Sequence, residues 1–427
     1  MRILVVVFAL YSLVTVAQPQ PRGNPKRMEQ RILKLGTFGA NPQGGVSRVA
    51  YSDADLAGRA YVMNLMKAAG LDVSVDAAGN IIGKRKGTDP SLPVIAFGSH
   101  IDSVPGGGNY DGDVGSLGAI ECIELMNEHK ITTRHPLEVI IFQNEEGGLI
   151  GSEALCGILP SASLDLVTHS GKTIRQGIAD IGGNVAQLST AAKPKGYYHA
   201  FLELHIEQGG ILDQKEINIG VVEGIVGINQ WRVTITGKAN HAGTTPMDQR
   251  QDAMVAAAKL TVAVNKAATS VAGRQVATVG QMHPEPGAPN VIPGKVTMSI
   301  EIRDLSHEKI LSVFDAIREQ GAAIEKETGT TITYELTNEN LPAPTDKRIQ
   351  EMVSAAAKSL GFSSLVMPSG AGHDAQDMAT LAPTGMIFVP SKNGVSHAPD
   401  EYTSPEDMAN GVSVLLQTVL NIDKTKF

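Results

Sequence analysis

The chain is poor in cysteine, in excess positive charge and in long apolar runs, and each shortage excludes a class of answer. Two cysteines in 427 residues, Cys122 and Cys156, can build neither a disulfide framework nor a cysteine-ligated zinc site. Cys122 falls in a helical stretch and reads as a small core residue, with Cys156 as its one available bridge partner. Lys and Arg number 36 against 44 Asp and Glu, a formal net charge of −8. That balance attracts neither a polyanion nor an anionic lipid surface, so nucleic acid is not an expected partner. One apolar run stands out, at residues 3–16, behind the single cation Arg2 and ending in the small-residue stretch Thr15, Val16, Ala17. This is the form of a secretory leader over 1–17, too short for a comfortable bilayer span. No other run approaches a span. The mature chain is therefore expected to be exported, to periplasm or medium, and free of the membrane. Internal repeats and low-complexity segments are also missing.

What is present is ordinary globular texture, 42% hydrophobic and 19% charged, in a length suited to about two to three domains. Periodicity predicts helices over 26–35 and 53–69, the second capped by Ser52 or Asp53. A hairpin over 73–75 and 80–84 follows. Apolar runs at 94–98, 137–143 and 199–204 then alternate with helical stretches, which argues for a parallel or mixed sheet covered by helices. From 223 the texture changes. Strand-like runs at 229–236, 275–281, 295–302 and 331–336 and helical runs at 252–268 and 306–328 give the order β-α-β-β-α-β, a ferredoxin-like split βαβ unit. The β/α pattern resumes with a helix at 346–360. The expected organisation is α/β: a catalytic part at 24–222, an inserted lid domain at 223–336 and a second catalytic part at 337–427.

Polar groups collect where the apolar runs end. His100 and Asp102 follow 94–98, and a glycine-rich loop carries the chain on to Asp111. Glu145 and Glu146 follow 137–143, His205 follows 199–204, and the run 384–389 leads to His397. In open α/β sheets the carboxyl ends of strands are where sites lie. Two imidazoles, a shared carboxylate and a further acid–imidazole pair suit two divalent ions held close together. Such a pair generates hydroxide at neutral pH. His100, Asp111, Glu146 or Glu145, His205 and His397 are the candidate ligands. With no thiolate in reach, Zn²⁺ is the first choice, with Mn²⁺ and Co²⁺ as alternatives. Glu145 and Glu146 would point to opposite faces if their strand continued, so one reads as a ligand and the other as a general base.

Taken together, GSHIDSV at 98–104, GGNYDG at 107–112, NEEG at 144–147, ELHIEQG at 203–209, HAGTTPM at 241–247, SGAGHD at 369–374 and SHAP at 396–399 resemble one known group. It is the N-carbamoyl-L-amino-acid hydrolase and allantoate amidohydrolase group of the aminoacylase/carboxypeptidase superfamily of dinuclear metal hydrolases. The resemblance covers about 26–423. It implies His100 and His205 on one ion, Glu146 and His397 on the other, Asp111 bridging, and Glu145 as base. It further implies that His241, in the lid, polarises the scissile carbonyl, often in the partner subunit's site. Gln208, Asn290 and Arg303 would bind substrate, with Arg303 gripping its carboxylate and Gly370 lending a backbone N–H. The implied activity is cleavage of a carbamoyl or ureido C–N bond on a small carboxylate substrate, by a homodimer joined through the lid. An allantoate amidohydrolase, or a peptidase or aminoacylase of the same superfamily, is the alternative. The chain departs from the group after Glu146, where its loop is shorter and lacks the usual arginine, a position that bears on substrate preference.

Overall fold

The apolar runs become the middle of a nine-stranded mixed sheet. The computed structural model describes residues 20–427, so the leader expected over 1–17 lies outside the described residues. Strands Leu137–Phe142, Val94–His100, Tyr198–Ile206 and Thr384–Val389 lie side by side in that order, all parallel. Their residues are buried almost throughout, which is why they read as continuous apolar runs and not as alternating ones. The hairpin Asp72–Val75 and Ile81–Arg85 extends the sheet on the Leu137–Phe142 side. On the other side Ile219–Ile225 pairs antiparallel to Thr384–Val389 and carries Ala343–Pro344 and Ser364–Ser369.

Helices cover both faces. Pro25–Leu35, Asp113–Glu128, Lys347–Ser359 and Pro405–Ile422 share one core with Ile95, Phe97, Ile141 and Leu204. Ile150–Cys156 and Asp374–Leu381 pack on the opposite face against Phe142, Phe201 and Phe388. The helix after the glycine-rich loop starts at Asp113 and lies unusually close to the sheet. A Cβ on Gly115 would stand 2.0 Å from the Leu204 carbonyl oxygen, so only glycine permits the approach. Beneath this helix Arg48 and Asp113 form a fully buried ion pair, with the Arg48 Nε also donating to the Ile101 carbonyl at 2.6 Å. Cys122 is buried in the same helix; both cysteines are free, so no bridge forms. Among the described residues no helix is long and apolar enough to cross a membrane.

The second unit is a five-stranded antiparallel sheet. Its order is Met282–Glu285, Lys295–Asp304, Gly227–Thr236, Thr331–Asn340, with Val276–Thr278 also beside Lys295–Asp304. Helices Ala253–Thr269 and His307–Thr328 cover one face. The connectivity is the predicted β-α-β-β-α-β, with the second strand broken into two short pieces. Burial alternates along Lys295–Asp304, which places Glu301 and Arg303 on the face without helices.

The expected domain boundaries move. Ile219–Ile225 runs straight through 222/223, and Thr331–Asn340 through 336/337, so the chain crosses between units near Val226 and Leu341. The cause of the second shift is a bulge between Leu336 and Asn338, which interrupts the alternation that marks a strand in sequence.

Candidate metal centre

Because the four parallel strands are neighbours, their carboxyl ends deliver separate stretches of sequence to one place. His100 is the last residue of its strand, and His205 lies inside Tyr198–Ile206 and not beyond it. The His100 Nδ1 faces the Asp102 carbonyl at 3.0 Å, and the His205 Nδ1 faces the Ile206 carbonyl at 2.9 Å. A ring nitrogen facing a carbonyl carries the proton, so each ring presents its Nε2 lone pair inward. Both meet the Asp111 Oδ1, His205 at 3.1 Å and His100 at 3.5 Å. The other oxygen, Oδ2, lies 3.2 Å from the His397 Nε2. The Glu146 Oε2 is 3.6 Å from that same nitrogen, and the Glu145 Oε2 is 3.7 Å from the His100 Nε2. Asp111 thus stands between two clusters, His100–Asp111–His205 and Asp111–Glu146–His397, whose donor atoms lie within 4.8 Å of one another in each.

Local backbone geometry serves this convergence. Gly112 has φ +65°, and a Cβ there would meet the His100 ring at 2.4 Å. Asn144, Gln208 and His397 are held in the left-handed region at φ 51°, 57° and 55°. Three such residues around one cluster mark a place where the fold stores backbone strain. The strand that feeds Glu145 and Glu146 stops at Phe142, and left-handed Asn144 turns the chain. The two acids therefore lie in a turn, and the expected divergence to opposite strand faces does not apply; both carboxylates face the cluster from different sides. The turn is held by Asp102, whose two oxygens accept from the Glu145 and Glu146 backbone N–H groups at 3.2 Å each.

Charge crowding shows in the ionisation of these groups. Burial pushes Asp111 up, but His205, His100 and His397 outweigh it and hold its carboxyl well below the usual range. Burial, reinforced by Glu146 and Asp374 against His100, raises Glu145 well above it. Burial and Asp111 raise Glu146 to about 7. The hydrogen bond to Asp111 raises His397 to about 9. The His100 Nε2 is fully buried with no hydrogen-bond partner among the described residues, a costly state for a ring nitrogen. An inward lone pair beside three crowded carboxyls is a donor set that fits divalent cations.

Several contributors escaped the sequence reading. Glu401 is buried, accepting from the backbone of Tyr110 and Asp111 at 2.9 and 3.1 Å and from Ser396 Oγ and the His397 N–H at 2.8 and 3.2 Å. It ties the Asp111 loop to the His397 loop. Nothing in sequence distinguishes it from a surface acid ahead of a helix. Glu203 and His373, inside stretches that carry the resemblance, also lie against His205. Glu203 bonds Ser99 Oγ at 2.7 Å and the Ala375 N–H at 2.9 Å.

The expected substrate residues divide. The Gln208 amide donates to the Asp111 Oδ2 at 2.6 Å and so joins the cluster. Arg303 donates through Nε to Glu301 and through a terminal nitrogen to the Gly370 carbonyl, both at 2.7 Å. It is the carbonyl of Gly370, and not its N–H, that is engaged here. Gln208, Arg303, Gly370 and His397 line one cavity of about 910 Å³. His241 and Asn290 are exposed on the second unit, adjacent through the Asn240–His241 and Val291–Ile292 ladder. The His241 Nδ1 accepts from Gly243 and Thr244 at 3.0 and 3.2 Å. Neither residue lines that cavity.

Comparison with known proteins meets this geometry from outside. Residues 96–421 match the model of peptidase family M20/M25/M40. The chain is 40% identical over 399 residues to an N-carbamoyl-L-amino acid amidohydrolase of Geobacillus stearothermophilus, covering 92% of this chain and 97% of that one. It is 40% identical over 408 residues to a ureidoglycolate hydrolase of Arabidopsis thaliana, covering 92% and 86%. A crystal structure of a hydantoinase/carbamoylase family amidase from Burkholderia multivorans superposes with a TM-score of 0.89 at 35% identity, over 96% of this chain and all of that one. The motifs, the mixed sheet and the histidine–carboxylate cluster all agree with these matches: the chain belongs to peptidase family M20/M25/M40 and is similar there to the carbamoyl-amino-acid amidohydrolases.

Proposed function

We propose that the protein is a dinuclear-metal amidohydrolase that cleaves the carbamoyl C–N bond of N-carbamoyl-L-amino acids. The observation that carries this reading is Asp111, placed with one oxygen toward His100 and His205 and the other toward His397. His100 and His205 would hold one ion, Glu146 and His397 the other, with Asp111 shared; Zn²⁺ is the first choice and Mn²⁺ or Co²⁺ the alternatives. Bound there, the ions supply an activated water and charge stabilisation at neutral pH. The chain's own groups do the rest. Arg303 grips the substrate carboxylate, and Gln208 orients the ureido end. Glu145 takes a proton from the attacking water as its oxygen bonds to the carbamoyl carbon. His241 donates to the developing oxyanion. Glu145 then returns the proton to the amino-acid nitrogen as the C–N bond breaks. The products are the free amino acid and carbamate, which decomposes to ammonia and carbon dioxide.

His241 stands apart from the cluster, so the reading includes a homodimer through the second unit, in which His241 of the partner subunit completes the site when that unit closes as a lid. It also includes export, directed by the leader at 1–17; a mature N-terminus at Gln18 tests it. The decisive experiment is ammonia release by purified protein, loaded with Zn²⁺, Mn²⁺ or Co²⁺. The panel is N-carbamoyl-L-amino acids, allantoate, ureidoglycolate and N-acyl-L-amino acids. Turnover confined to the N-acyl compounds would replace this reading with an aminoacylase.

A further inference from the structure

The cavity that joins Arg303 to the metal cluster carries more positive charge than a substrate with one carboxylate uses. Besides Gln208, Ser396 and His397 at the cluster end, its lining includes Lys215 and Arg274. Both are exposed and so stand at the rim. Arg274 is paired with the partly exposed Glu223 at 2.7 Å, while Lys215 makes no ion pair among the described residues. The acid in the lining is Glu207, and it is spent: its two oxygens accept from the Ile211 and Leu212 N–H groups at 2.8 and 2.7 Å. The lining also includes the aliphatic Ile211, Leu365 and Val366. Ile211 and Val366 show 45% and 46% of their surface, apolar area left open toward the cavity. An aliphatic wall beside Lys215, unpaired among the described residues, and Arg274, held only by the partly exposed Glu223, suits a ligand with a methylene stem and an anionic tip.

We propose that the substrate is the N-carbamoyl derivative of an acidic amino acid of glutamate type, with its α-carboxylate on Arg303, its side-chain methylenes along Ile211 and Val366, and its second carboxylate at Lys215 and Arg274. This rests on the proposed carbamoyl hydrolysis and adds the side-chain class to it. Exposed cations contribute modestly and are screened by salt. The effect should therefore fall on KM, at about five- to tenfold, and shrink as ionic strength rises.

The test measures kcat/KM of the metal-loaded enzyme on N-carbamoyl-L-glutamate, N-carbamoyl-L-glutamine and N-carbamoyl-L-methionine. Glutamine is the neutral isostere of glutamate, so the ratio of the first two isolates charge. A wild-type ratio of about five or more, approaching one at high salt and falling below one in Lys215→Glu/Arg274→Glu, supports the inference. A wild-type ratio of one or less, with glutamine and methionine derivatives turned over well, overturns it and leaves the carbamoyl reading standing. No turnover of any of the three overturns both. A ratio unmoved by salt and by the single exchange Lys215→Gln removes the rim cations from the account and overturns the inference.

Discussion

The two units of the molecule hold most of their site residues differently, with His397 of the first unit, its side chain 48% exposed, as the exception. At the edge of the nine-stranded sheet His100 and His205 are sealed, 0% and 1% exposed, each ring turned by a backbone carbonyl. Asp102 and Glu401 pin the backbone on either side. On the second unit His241 and Asn290 stand in solvent, the His241 ring bonded to its own loop and the Asn290 carbonyl to the neighbouring Ala242 N–H. The difference follows from what each set has to do. Groups that hold cations must be oriented before the cation arrives, because reorienting them afterwards would consume binding energy. Groups that touch a substrate must let it in and out, so they belong on a unit that can move or on another subunit.

The largest test of this contrast lies within the sealed set. Glu145→Gln should lower kcat by about 10²–10⁴-fold, the usual contribution of a general base, while two metals per subunit and substrate binding survive. Glu146→Gln should retain about one metal after dialysis, with activity partly restored by excess metal. Metal analysis of both proteins decides the matter, and a depleted Glu145→Gln beside a fully loaded Glu146→Gln would reverse the roles.

Next comes the brace behind the ligands. Glu401→Ala removes the acceptor that links the Asp111 and His397 loops without changing a ligating side chain. Loss of such a partner weakens metal affinity by about 10- to 100-fold, which competition with a chelator measures. Unchanged affinity would show that the loops hold themselves.

The open set should respond differently. Arg303→Lys replaces a planar fork by a point charge, and KM should rise about tenfold, ~1.4 kcal/mol, with metal content intact. Equal activity of the native enzyme on a substrate and its carboxamide analogue would remove the carboxylate grip altogether. The smallest signal is complementation between His241→Ala and Glu145→Gln. If subunits exchange and His241 acts across the interface, half of the dimers are mixed and each holds one complete site, so about a quarter of native activity returns. Exchanging dimers with no recovery would return His241 to its own subunit.

Much of the centre was legible because its chemistry is written at strand ends. An apolar run followed by His or Glu is visible in one dimension, and His100, Asp111, Glu145, Glu146, His205 and His397 all come together in the structure. Glu401 was not legible, since its role is to tie its own loop by hydrogen bonds to one some 290 positions away in the chain. The turn at Asn144 was missed because a left-handed asparagine leaves little trace in periodicity. The strand Thr331–Asn340 was cut short because its bulge breaks the alternation.

By itself the sequence determined which residues could do chemistry here and which elements would carry them, since side-chain type and hydrophobic period are local properties. Tertiary structure alone decided which strands are neighbours, and hence that Asp111 faces histidines from both sides while His241 faces none of them. Strand order depends on how whole faces bury one another, a condition that no short stretch of chain contains.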